Sequence, residues 1–102
     1  MQLGQKESNK VHYEIFEDKR VIKFLDKHIN NKQLQDRIED KYYWLSLNPY
    51  KEAEKSFKSQ KCPKCKKTRM GEYRLIFYIH ESTKEIEIVD IGLRKNIYKK
   101  WD

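Results

Sequence analysis

The chain has 102 residues, of which 38% are charged, 37% hydrophobic and 13% aromatic, with a formal net charge of +7. That length suits one domain with a single modest core, and mixed charges with three Gly and two Pro argue against a disordered linker. No run has the apolar length of a membrane span and the opening MQLGQKESNK lacks the apolar centre of a secretory signal, so the expectation is a cytoplasmic protein whose two cysteines stay reduced.

Residues 1–10 show no periodicity and read as a flexible tail ahead of a single domain over 11–102. From Val11 to Phe16 the pattern alternates, with Val11, Tyr13 and Ile15 on one face, which predicts a strand of six residues. Asp18 suits a helix N-cap, and Val21, Ile22, Leu25 and Ile29 follow at helical spacing, giving a helix over 18–29. Asn30-Asn31 breaks it. Leu34, Ile38, Tyr42 and Leu45 then form one stripe of a second helix, closed by Asn48-Pro49 because the residue before proline avoids the helical region. So short a break between two helices predicts a helical hairpin.

Residues 50–61 are charged and carry no clear pattern. Lys66–Met70 and Tyr73–His80 read as two strands about a Gly71-Glu72 turn, with glycine where positive φ is needed. In the second of them Tyr73, Leu75, Phe77 and Ile79 share one face, and Arg74, Ile76 and Tyr78 the other, so the strand is expected at the centre of a sheet. A fourth strand, Glu85–Ile91, and a short terminal helix, Lys95–Trp101, complete the order β-α-α-β-β-β-α. The fold class expected is α+β: a small, mostly antiparallel sheet with the helical hairpin on one face, leaving the other face as the working surface.

Charge is concentrated rather than spread. Lys58, Lys61, Lys64, Lys66, Lys67, Arg69 and Arg74 stand against the single acid Glu72 between positions 58 and 74, a local +6 within a chain of +7. A folded basic hairpin calls for a polyanion, and nucleic acid is the commonest one. Lys67 and Arg69 alternate with Thr68 and so point to the same face, with Arg74 opening the partner strand across the turn.

The run Lys67-Thr68-Arg69-Met70-Gly71-Glu72-Tyr73-Arg74, the later Ile91-Gly92-Leu93-Arg94, the following Asn96-Ile97-Tyr98, and Leu47-Asn48-Pro49-Tyr50 together resemble the RelE/ParE superfamily of toxins from toxin–antitoxin pairs. The resemblance covers residues 11–101 and implies one of two activities. In the RelE branch it is metal-free cleavage of messenger RNA in the ribosomal A site; in the ParE branch it is inhibition of DNA gyrase. Either way it implies a small RelB-like antitoxin as partner, with the ribosome and mRNA as further partners on the RelE reading, no membrane and no cofactor. A third possibility is a non-catalytic basic nucleic-acid-binding module.

Metal-free RNA cleavage needs a base for the 2′-hydroxyl, cations for the phosphorane-like transition state and an acid for the leaving 5′-oxygen. On the RelE reading the catalytic set is Lys67, Arg74, Arg94 and Tyr98. Lys67 acts as base or phosphate clamp, its amine made less basic by Lys66, Arg69, Arg74 and Arg94, since like charges favour the neutral form. Arg74 and Arg94 stabilise the transition state through their planar forks. Tyr98 stacks on a base or helps in proton transfer. Lys64, Lys66, Arg69 and Lys95 hold RNA phosphates, and His80 is expected at the far end of the hairpin, away from the chemistry. Cys62-Pro63-Lys64-Cys65 is half of a zinc knuckle at most, with no second pair to complete it, so the default is a disulfide or a free thiol pair.

Overall fold

A computed structural model describes residues 12–54 and 57–101. The predicted tail over 1–10 and Val11 lie outside them. The elements are β1 (Glu14–Glu17), α1 (Lys19–Lys27), α2 (Lys32–Leu47), a single helical turn α3 (Pro49–Glu52), β2 (Lys66–Met70), β3 (Tyr73–His80), β4 (Glu85–Leu93) and α4 (Arg94–Trp101). Asp18 caps α1, accepting from the backbone N–H of Arg20 at 3.0 Å, and Asn31 caps α2 by accepting from that of Leu34 at 3.1 Å. Asn48 ends α2 and its side chain then caps α3, which places Pro49 at a helix start where its missing N–H costs nothing. The first strand is shorter and later than the alternation predicts, because only 14–17 find a partner edge.

The sheet order is β1-β4-β3-β2. β2 and β3 form the antiparallel hairpin, β3 and β4 pair antiparallel, and β1 lies parallel to β4, so the sheet is mixed with one parallel pair. Strand β3 is central, as its two apolar faces require.

Each face of the sheet carries its own apolar cluster. On one side Val21, Leu34, Ile38 and Leu45 from the two long helices pack on Met70, Leu75, Phe77, Ile86, Ile88 and Ile91. On the other, Ile76 and Val89 meet Cys65, Ile97 and Trp101. The second face is therefore not an open floor, since α4 roofs part of it. A bulge makes this possible. Ile76 pairs with Asp90 and Phe77 with Ile88, so Val89 and Asp90 both turn to the α4 side. Val89 feeds the apolar cluster, while buried Asp90 accepts from the indole N–H of Trp101 at 2.8 Å and pairs with the Lys100 ammonium at 3.1 Å. At the corner where β4 becomes α4, Gly92 allows Ile97 to close over the backbone; an added Cβ would stand 3.3 Å from it.

Gly71 has the positive φ, 61°, that the turn demands. A Cβ there would also run into the Arg37 guanidinium, the movable end of a long side chain. Gly71→Ala is therefore expected to destabilise the fold by about 1–2 kcal/mol, mostly through backbone strain, seen as a lower urea midpoint at unchanged slope.

Candidate functional site

The hairpin β2–β3 and the first turns of α4 bring four of the predicted residues together. Lys67 projects from β2 on the α4 side and is only 5% exposed. Its ammonium donates to the Tyr98 hydroxyl at 2.8 Å and lies 4.3 Å from the centre of that ring. The Arg94 guanidinium lies 5.6 Å from the same ring centre. Arg74, also 5% exposed, donates through Nη1 to the backbone carbonyls of Gly71 and Tyr73 at 3.1 and 3.0 Å. Its buried Nε has no hydrogen-bond partner among the described residues.

A carboxylate joins this group that the sequence reading did not single out. Glu54, just after α3, donates its backbone N–H to the Lys67 carbonyl at 2.7 Å and so runs beside β2. One oxygen, Oε1, stands 3.4 Å from the Lys67 ammonium and 3.9 Å from Arg74 Nε. The crowd of like charges expected around Lys67 is thus broken by an acid. Two buried cations facing one oxygen of the partly exposed Glu54 side chain make an anion-binding point, and burial strengthens such interactions.

Tyr98 is affected electrostatically. The hydrogen bond from Lys67 first, and then Arg94, holds its phenol below the ordinary tyrosine range. Such a group is a better acid than free tyrosine. In an ultraviolet absorbance titration Tyr98 is expected to ionise below the ordinary tyrosine range, and Tyr98→Phe should delete that step. Lys67→Met should move it upward, because the ammonium that favours the phenolate is gone.

The remaining predicted residues sit around this centre. Arg69 is exposed and pairs in register with Arg74 across the hairpin. Lys95 is exposed beside Arg94, along a hollow of about 320 Å³ with Glu72 and Leu93. Lys64 and Lys66 line a groove that Glu54 also borders. His80 lies at the distant end of β3, 3.2 Å from Glu87 and against the rings of Phe16 and Tyr78. Cys62 and Cys65 are joined in a disulfide, which uses the thiols of the zinc-knuckle reading and departs from the expected reduced state. Glu54 was hidden by its setting, since nothing periodic in 50–61 fixes where that segment runs. The one signal was its position, an acid a few residues beyond Asn48-Pro49 and ahead of the basic strand.

The family model for the ParE toxin of the type II toxin–antitoxin system parDE matches residues 13–98. Among solved structures, the toxin–antitoxin complex RelBE2 from Mycobacterium tuberculosis is similar, with a TM-score of 0.68 at 20% identity over 82% of this chain and 100% of that one. The E. coli toxin RelE, a mutant in the free state, gives a TM-score of 0.66 at 17% identity over 88% and 94%. No curated protein matches the sequence. At these identities the two structures speak for the fold.

Proposed function

Since the chain belongs to the ParE toxin family and is the toxin of a type II toxin–antitoxin pair, we propose that it acts as a ribosome-dependent endoribonuclease, cutting messenger RNA in the A site, and is neutralised by a RelB-like antitoxin. The observation that carries the reading is the Glu54–Lys67–Tyr98 chain flanked by Arg74 and Arg94. A protein that inhibits gyrase by surface contact has no use for two nearly buried cations converging on a carboxylate. A phosphoryl-transfer site does.

In the proposed reaction the 2′-oxygen attacks the adjacent phosphorus while Glu54 takes its proton. Lys67, Arg74 and Arg94 offset the charge that builds on the phosphorane oxygens. The bond from phosphorus to the 5′-oxygen breaks as Tyr98 protonates that oxygen, leaving a 2′,3′-cyclic phosphate and a free 5′-hydroxyl. Tyr98 suits the acid role because its phenol is already drawn below the usual range, and Lys67 stabilises the phenolate left behind. Arg69 and Lys95, exposed on the rim, hold flanking phosphates. A cytoplasmic site of action follows from the ribosome as partner.

Primer extension on a translated messenger, with and without ribosomes, tests this directly. New 5′ ends inside codons only when ribosomes are present are the expected result. The ParE description of the matching family keeps gyrase inhibition as the second reading. Intact messenger together with blocked supercoiling by gyrase would establish that one instead.

A further inference from the structure

Beyond Glu54 the positive charge continues. A groove of about 590 Å³ opens between the segment after α3 and the β2–β3 edge, with Tyr50, Phe57 and Tyr78 in its walls and Lys58, Lys64 and Lys66 around it. Its volume falls in the range of small-molecule sites. Among the described residues that line it Glu54 is the only acid, and that carboxylate is already paired with Lys67 and Arg74. The Lys66 ammonium stands 5.9 Å from the Tyr50 ring centre, so cation and aromatic face occur side by side. Tyr50 is 52% exposed, and Tyr78 is held on the rigid central strand with its ring against His80.

We propose that this groove is a nucleotide subsite, taking one unstacked base of single-stranded RNA against its aromatic walls with the neighbouring phosphates on Lys58, Lys64 and Lys66. The inference rests on the nuclease reading for its direction, since Glu54 borders both the reaction centre and the groove and one strand can run through both. Flat rings interleaved with lysines are the common means of holding single-stranded nucleic acid, where any base offers a π-face and the lysines track the backbone. A neutral metabolite would leave the three lysines unused. An acidic peptide would use the lysines but gain less from three aromatic rings.

The test is binding, separate from cleavage. A fluorescein-labelled RNA hexamer, 2′-O-methylated throughout so that it cannot be cut, is titrated into the intact protein by anisotropy. Tyr78→Ala and Tyr50→Ala should each weaken binding about tenfold, and Lys58→Ala with Lys64→Ala should lower the dependence on salt. Circular dichroism melts identify any variant that fails to fold, and Tyr78→Leu, which keeps an apolar wall without an aromatic face, should weaken binding as Tyr78→Ala does. Unchanged hexamer affinity in the folded tyrosine variants would overturn the subsite while leaving the nuclease reading intact. A glutamate hexapeptide that displaces the RNA only from the unaltered groove, and binds more tightly than RNA does, would also overturn it and assign the groove to an acidic protein. Absence of cleavage with tyrosine-sensitive hexamer binding would instead remove the nuclease reading and keep the groove.

Discussion

Glu54→Gln is expected to slow ribosome-dependent cleavage by about 10²–10⁴-fold, the usual contribution of a general base. Glutamine has nearly the same shape and still presents an oxygen to Lys67 and Arg74, so the fold and the cationic set should persist. What is lost is the capacity to accept a proton. The substitution also separates two meanings of the same geometry. A carboxylate held between an ammonium and a guanidinium is either a base in place or a stand-in for the scissile phosphate that substrate must displace. If the stand-in role were correct, Glu54→Gln would bind RNA more tightly and cleave at least as fast, because the competing anion is gone. The assay is single-turnover cleavage on programmed ribosomes, with Arg74→Ala alongside. Arg74→Ala should fall by about 10²-fold or more under either meaning, since it removes a stabiliser of the transition-state charge.

Trp101→Ala is expected to cost about 3–5 kcal/mol of folding stability, a large part of what a domain of this size has. Trp101 is 6% exposed and anchors α4 by three routes. Its indole packs with Ile76, Val89 and Ile97, its N–H donates to buried Asp90, and its carbonyl accepts from the Ser59 hydroxyl. The Arg20 guanidinium also lies 5.1 Å from the ring centre, tying α4 to the start of α1. Truncation leaves a cavity and withdraws a donor from Asp90. Trp101→Phe keeps most of the ring but not the N–H, and should cost about 1–3 kcal/mol. Urea unfolding followed by circular dichroism measures both. Because α4 carries Arg94 and Tyr98, cleavage should fall with α4 order even where most of the protein remains folded.

Much of this was legible in the amino-acid order, for reasons that differ by region. The hairpin was read to the residue, because period-two alternation from Lys66 to His80 and a glycine at the turn fix both strands and their facing. Both long helices followed from apolar spacing, from the Asp18 cap and from the Asn30-Asn31 break, although the capping role of Asn31 emerged only in the structure. What local pattern cannot supply is which distant segments meet. The β1–β4 pairing joins the two ends of the domain, so β1 was placed too early and too long. The bulge at Val89 is a register event between strands, invisible in either alone. The cationic set was found through strand phase and resemblance together, whereas Glu54 belongs to a segment whose path is dictated by a backbone hydrogen bond to Lys67 rather than by any periodicity.

The pairing of β1 with β4 has a consequence for how the protein is made. Neither the edge strand β1 nor the candidate site can form early in synthesis, because β4 must leave the exit tunnel before β1 has an edge to join, and α4 must follow before Arg94 and Tyr98 reach Lys67. The cluster of Lys67, Tyr98 and Arg94 is thus among the last features of the domain to assemble, after the sheet that supports it.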